Sequence, residues 1–444
     1  MKYKVGFVSL GCPKNLTDTE TMIGLLKNEY EIETNPENAD IIIVNTCGFI
    51  ESAKQESIDT IIEMGQFKET GNLKKLIVTG CLAQRYSNEI LEQLPEVDAV
   101  AGTASFIDIK SVLDEAFHGE KRIFMRDINE AVPENLPRVI ATPKHTAYLK
   151  IADGCNNKCT YCVIPQIRGK YRSRKIEDIV SEAKSLAEGG VREIILIAQD
   201  TTYYGVDLYK KKMLAKLLEE VSKIEKLHWI RVHYCYPEMI DDELIEVFAK
   251  NKKICPYIDI PFQHASDSVL KNMARRSSFE KNCRLIEALR EKVENIYIRS
   301  SFIVGFPGET EEDFEVLKEF IKFARLDRLG VFTYSPEEGT VAAAMDGQID
   351  EAVKRHRRDE IMKIQKQISK EKCAEKIGTV IEVLCEGACG KSLYAGRSRG
   401  DSPEIDGTVV IKSQTPLNPG DFVKVKIKKA YNYDLEGDFV EFAK

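Results

Sequence analysis

No apolar run in this 444-residue chain is long enough to span a bilayer, which takes about 20 consecutive apolar residues. Positive charge is not in excess either: 64 Lys+Arg stand against 71 Asp+Glu, a formal net charge of −7. That balance argues against a dedicated nucleic-acid binder, although a local basic patch can hide within it. The start, MKYKVGFVSLGC, is basic and then apolar but has no small-residue cleavage site after it. It reads as a first strand, not a signal peptide. Internal repeats and low-complexity tracts are missing too. What is left, 43% hydrophobic and 30% charged with one Trp, is ordinary globular composition. The length suits about three domains. A cytoplasmic protein with no membrane partner is the expectation.

Cysteine is not scarce. Twelve cysteines without a secretion signal point to a reducing compartment, where thiols stay free to bind metal, rather than to a disulfide framework. Six of the twelve fall into two sets of three. Cys155, Cys159 and Cys162 share the tight loop GCNNKCTYC, whereas Cys12, Cys47 and Cys81 are spread out, each just past a short apolar run. Three thiolates can hold a 4Fe–4S cluster by three irons and leave the fourth open. In the tight loop no fourth cysteine follows at ligand spacing, unlike ferredoxin runs. Structural zinc is the competing reading, but it takes four ligands in paired short spacings, and the next His is remote in sequence. The spread set is weaker on its own, since a lone cysteine is often a small buried hydrophobe. Cys235, Cys255, Cys283 and Cys373 lack ligand spacing and read as packing residues. Cys385 and Cys389 (CEGAC) lack a third ligand.

The chain order suggests an α/β fold in three parts, residues 1–136, 137–373 and 374–444. In the first, strand-like Val5–Leu10, Ile41–Asn45 and Leu76–Thr79 alternate with helical Asp18–Asn28 and Ala53–Gln66, which predicts a parallel sheet covered on both faces. Cys12, Cys47 and Cys81 then lie beyond strand carboxyl ends, the edge where such sheets collect ligands. Residues 133–147 (PENLPRVIATPKHTA) hold three prolines and read as a linker. Six further strands follow: Tyr148–Ala152, Glu193–Gln199, Trp229–His233, Tyr257–Ile260, Ile296–Val304 and Leu329–Tyr334. Separated by helices such as Ile176–Glu188 and Glu311–Ala324, they suit a partial TIM-type barrel. The tight cysteine loop comes directly after the first of them. Asp350–Cys373 reads as a connecting helix, and the β-rich runs Thr379–Cys385, Gly407–Lys412, Phe422–Lys428 and Phe439–Phe442 as a small five-stranded barrel.

CNNKCTYC, with an aromatic before its third cysteine, resembles the signature of the radical S-adenosylmethionine (SAM) superfamily. The resemblance implies a cluster on Cys155, Cys159 and Cys162 whose open iron chelates SAM, with Tyr161 near the adenine. FIVGFPGET (302–310) as a bare string is a tight turn with Thr310 as helix cap. Within a radical SAM barrel it is similar to the adenine-side turn, which assigns Gly305, Phe306 and Pro307 to the cofactor. Gln199 and Asp200, at the end of the second barrel strand, are either SAM-pocket groups or turn caps.

SLGC, NTCGFIE and VTGCLAQR resemble the N-terminal domain of the methylthiotransferases, whose three cysteines hold a second 4Fe–4S cluster. The last seventy or so residues are similar to a TRAM-type module, so the resemblance covers essentially the whole chain. SLGCPKN, IAQDTTYYG, IRGKYRSR, DIPFQHASDSVL and GRSRGDSPEIDG look like the ribosomal-protein branch of that family rather than the tRNA-adenosine branch. The C-terminal part is also not basic, with ten Lys+Arg against eleven Asp+Glu over residues 374–444. A tRNA-gripping module needs positive charge for phosphates, and the acidic runs Asp401–Asp406 and Asp434–Asp438 instead suit a basic protein partner. The implied reaction puts a methylthio group on the β-carbon of an aspartate in small-subunit ribosomal protein number twelve. One SAM supplies the methyl group and a second, cleaved by an external electron from a flavodoxin- or ferredoxin-like donor, supplies the hydrogen-abstracting radical. No general acid or base is required beyond the cluster ligands.

Overall fold

The computed structural model describes residues 2–119 and 121–443. Its first sheet holds six parallel strands: β1 (Lys4–Ser9), β2 (Glu31–Glu33), β3 (Ile41–Thr46), β4 (Lys75–Gly80), β5 (Ala99–Ala101) and β6 (Arg122–Phe124). Their spatial order is β2-β1-β3-β4-β5-β6. Alternation along the apolar strands feeds two cores, one on each face. Ile41, Ile43 and Ile77 point to one, and Ile42, Val44, Leu76 and Val78 to the other. Strand order reverses between β1 and β3, which opens a crevice at their carboxyl ends. Strands β2, β5 and β6 carry no signal in the sequence analysis because three residues are too few to show alternation. The first helix runs Pro13–Leu26, starting well before the expected Asp18, because Pro13 is preorganised for the opening turn.

After β6 the chain has no helix or strand until β7 (Thr146–Lys150). Arg138 pins this stretch down, pairing with buried Glu20 and with Glu182 at 2.9 Å. A two-residue hairpin, β8 (Ala152–Asp153) with β9 (Arg172–Ser173), follows. Then come β10 (Glu193–Ile197), β11 (Trp229–Val232), β12 (Ile254–Asp259), β13 (Tyr297–Val304) and β14 (Arg328–Thr333). The order β14-β13-β12-β11-β10-β7, with every pair parallel, makes an open, partial TIM-type barrel. Helices Ile176–Glu188, Leu214–Ser222, Phe279–Lys292 and Glu311–Ala324 cover its outside and share one continuous core with it. Helix Glu351–Ala374 then leads to a closed five-stranded barrel of β15 (Val380–Gly390), β16 (Leu393–Ser398), β17 (Val409–Lys412), β18 (Phe422–Ala430) and β19 (Leu435–Phe442). All twelve cysteines carry free thiols. Among the described residues no helix is long and apolar enough to cross a membrane.

One expectation needs correcting. The acidic run Asp401–Asp406 is not displayed to a basic partner. It enters the amino-terminal end of the open barrel, where the Asp401 side chain pairs with Arg328 and that of Asp406 accepts from Tyr257 at 2.7 Å. Ser402 meets the His233 ring at 2.8 Å, and Arg397 and Arg231 converge on fully buried Glu193 at 2.6 and 3.1 Å. Asp401 and Asp406 are thus placed against barrel arginines while Glu404 stays exposed, and the small barrel stoppers the large one. The second acidic run is also answered internally, since Glu436 pairs with Lys412 at 2.6 Å and Asp434 accepts from the Thr408 amide at 2.8 Å.

Candidate active site

Cys12, Cys47 and Cys81 follow β1, β3 and β4, three neighbouring strands, and so occupy the crevice of the first sheet. Two glycines let the strand ends close up. A Cβ on Gly11 (φ +84°) would stand 2.7 Å from the Cys47 Cβ, and one on Gly80 (φ +95°) only 2.3 Å from Asn45 Oδ1. Asn15 ties the loops together. Its amide donates to the carbonyls of Leu10 (3.1 Å) and Thr46 (2.9 Å), and its Oδ1 accepts from the Cys81 thiol at 3.7 Å. Burial opposes ionisation of Cys12, but the charges of Lys14 and Arg168 outweigh it and leave that thiol below its usual value. Burial pushes Cys47 up to about 12 and raises Cys81 despite Arg168 nearby.

The second triad lies in the loop from β8 to helix Ile164–Arg168, at the carboxyl mouth of the open barrel. Gly154 (φ +77°) starts it where a Cβ would fall 2.1 Å from the Lys170 carbonyl, and the Cys155 amide donates to Gly169 at 3.0 Å. Asn157 reaches across to Asp200 at 3.0 Å. Asp200 also accepts from Thr202 (2.6 Å) and the Tyr203 amide (3.1 Å), so the capping role proves real while the residue also braces the cysteine loop. Burial raises Cys155 to about 11 and lifts Cys162 further.

The other predicted cofactor residues fall into two groups. Tyr161 packs on an apolar cluster that contains Phe306 and Tyr334, so two parts of the sequence 145 residues apart do meet at this mouth. The turn Gly305–Pro307 is itself buried. Its Gly305 and Phe306 amides both donate to Glu309 Oε2, at 2.6 and 3.1 Å, and Thr310 caps the next helix. Gln199 stands apart from that cluster and donates to Asp153 at 2.9 Å.

Between the triads runs a bridge that the sequence analysis did not identify. Val163 and Ile167, directly after Cys162, form one apolar cluster with Cys81. Arg168, at the end of the same helix, donates to Asn15 Oδ1 at 2.6 Å and lies 3.9 Å from Cys81 Sγ. Its other nitrogen pairs with Asp18 at 2.7 Å and Asp153 at 3.2 Å. Burial disfavours the charge on Asp153, yet Lys150, Arg168 and Arg172 hold it far below the usual carboxylate range. Asn15 and Arg168 sit within SLGCPKN and IRGKYRSR, so the signal lay in strings that had served only to mark a branch.

Each triad is made of thiols alone, a donor set that iron–sulfur clusters use. A lone zinc draws its thiolates to about 2.3 Å from one centre, whereas a cubane takes them on separate irons. The barrel mouth also keeps buried polar atoms without partners, namely the Tyr161 hydroxyl, Gln199 Oε1 and Arg275 Nη1. Polar atoms left open in a buried cleft are what a polar cofactor would satisfy.

Comparison with known proteins agrees with this geometry. Residues 149–321 match the Radical SAM superfamily, residues 4–102 the family described as "Uncharacterized protein family UPF0004", and residues 377–440 the TRAM domain. Among solved structures, the radical SAM methyltransferase TsrM from Kitasatospora setae superposes with a TM-score of 0.55 at 14% identity, covering 88% of this chain and 82% of that one. The cobalamin-dependent radical enzyme OxsB gives 0.52 at 14% identity over 83% of this chain and 56% of that one. Fold and site thus define a radical SAM enzyme. The relatives narrow this further. "Ribosomal protein uS12 methylthiotransferase RimO" of Clostridioides difficile is 52% identical over 98% of both chains, and that of Clostridium acetobutylicum 51% over the whole of both. The protein of the same name from Clostridium perfringens strain 13 is 53% identical over 98% of both. The chain belongs to the RimO family of radical SAM methylthiotransferases.

Proposed function

We propose that the protein inserts a methylthio group at the β-carbon of an aspartate in ribosomal protein uS12. Two 4Fe–4S clusters, on Cys12/Cys47/Cys81 and Cys155/Cys159/Cys162, and SAM are its cofactors, and a flavodoxin- or ferredoxin-like protein is its electron donor. The observation that carries the reading is the contact of Cys81 with Val163, Ile167 and Arg168, the segment that follows Cys162 of the other triad. Transfer of a group assembled at one site to a carbon activated at the other needs this closeness. When bound, the clusters and SAM supply the sulfur-transfer and radical chemistry.

The chain's own residues hold and shield. Tyr161, Phe306 and Tyr334 form an apolar wall beside the second triad, where a reactive species is kept from water. Arg168 sets a fixed positive charge beside Cys81 and Cys12, which compensates thiolate charge in a buried place. The stoppered lower end of the barrel leaves the cysteine-bearing mouth as the side from which substrate is offered.

The sister activity on tRNA is disfavoured by the neutral small barrel and by relatives that bear the uS12 name. Anaerobic turnover with SAM, sulfide and reductant, offering uS12 and unmodified tRNA in parallel, tests the assignment by mass. A methylthio gain on the uS12 aspartate is expected. A modified tRNA with untouched uS12 would overturn it.

A further inference from the structure

We propose that Lys14 is the residue that recognises the substrate's aspartate, its ammonium receiving the side-chain carboxylate. This rests on the uS12 reading above and names the group that would read the target there.

Lys14 begins the helix that follows Cys12 and is only 8% exposed. Its Nζ does not end in an ion pair. It stands 3.7 Å from the centroid of the Tyr234 ring, and the acceptor it meets, the Ala198 carbonyl, is 3.5 Å away, long for a hydrogen bond. No carboxylate among the described residues lies within salt-bridge distance of it. Elsewhere the chain pairs its buried cations closely: Arg168 with Asp18 at 2.7 Å, Arg357 with Glu309 at 2.9 Å, Lys354 with Glu351 at 2.6 Å. The Lys14 charge favours the nearby Cys12 thiolate, but an ammonium has three protons to donate and no oxygen anion takes one here. The pattern fits a site completed by an incoming anion.

The surroundings are built for one. Ala198 follows β10 and Tyr234 follows β11, so Nζ lies at the carboxyl mouth of the barrel, on the side facing Cys12. Tyr234 holds φ +60°, a left-handed backbone that an aromatic residue rarely takes. Its amide donates to Asp259 at 3.1 Å and its carbonyl accepts from the Thr201 amide at 3.0 Å, which fixes the ring as a floor beneath the ammonium. Leu16, two residues on, packs with Tyr148, Ile195, Ile197 and Tyr234 inside the barrel, anchoring the helix that carries Lys14.

A carboxylate at this point could come from the aspartate or from SAM. The aspartate is favoured because the second triad has its own buried cation. Arg275 lies over the Tyr236 ring at 4.1 Å beside Cys159 and Tyr161, its Nε 3.3 Å from Glu238 and its Nη1 unpartnered.

The test measures binding of uS12, and of uS12 with the target Asp changed to Asn, to cluster-loaded wild-type, Lys14→Gln and Lys14→Arg proteins. SAM affinity and iron content are measured on the same samples. The wild type is expected to prefer the aspartate form at least tenfold, about 1.4 kcal/mol. Lys14→Gln should bind both forms alike, and Lys14→Arg should recover part of the preference. The comparison within each protein is insensitive to a general loss of folded or loaded material. A preference undiminished in Lys14→Gln overturns the proposal. So does a variant that loses SAM affinity but keeps the preference, which would assign the ammonium to the cofactor. If wild-type protein neither prefers the aspartate nor methylthiolates it, the uS12 reading itself fails, and Lys14 with it.

Discussion

Arg168 Nη2 lies 3.9 Å from Cys81 Sγ, although Cys81 follows a strand of the first sheet and Arg168 ends a helix at the open barrel. The arginine closes the helix that starts beside Cys162, so one side chain ties the segment after the second triad to the first triad. Its guanidinium fork uses Asn15, Asp18 and Asp153 as acceptors, which fixes its position without a role for solvent.

Replacing Arg168 with Met should therefore do more than weaken a contact. It leaves Asp18 and Asp153 buried with Lys150 as their remaining shared cation, a change of about 3–5 kcal/mol for a broken buried pair. The denaturation midpoint falls, and iron bound at the first triad falls with it. Arg168→Lys should recover little, because a lysine cannot span the three acceptors. Chemical denaturation and iron analysis of the purified variants check both statements.

Gly154→Ala probes the second triad. The new Cβ would stand 2.1 Å from the Lys170 carbonyl at a φ of +77°, so the loop must move off the β8–β9 hairpin. The expected outcome is loss of one of two clusters by iron and electron-paramagnetic-resonance counting, together with loss of SAM cleavage. Gly308→Ala is the control. It shares a positive φ but has no neighbouring atom within 4 Å of the added carbon, so it should keep both clusters.

The barrel stopper should show itself in acid. Burial opposes the charge on Glu193, but Arg397 and Arg231 hold its carboxyl at about 2 against an ordinary 4.5. A depressed carboxyl contributes its stability above the unfolded value and loses it as pH falls through the folded one, here about 3 kcal/mol lost between about pH 4.5 and 2. Glu193→Gln should lower stability at pH 7 and flatten the decline over that window. Denaturation of both proteins at several pH values would contradict the account if the two curves ran parallel.

Much of this was legible in the sequence, and the limits have physical causes. Strands β3, β4 and β10 to β14 announce themselves by β-branched runs, and the placement of all six cysteines beyond strand ends follows from where those runs stop. The strings around Cys12 and Cys155 led to the family. The run Asp401–Asp406 misled because charge in a sequence carries no sign of burial, and its partners Arg299 and Arg328 lie far upstream. Asn15, Lys14 and Arg168 were hidden for a related reason. Each acts across the gap between sheets, and spacing along one segment does not report contacts made to another.

The central claim is that two cysteine triads serve one substrate across a shared wall. The most direct test is Cys81→Ala, supplied anaerobically with SAM, sulfide, reductant and uS12. The account predicts that this variant keeps one cluster and still forms deoxyadenosine, but leaves uS12 without a methylthio group. Methylthiolation at the wild-type rate would contradict it by showing that the first triad is not needed.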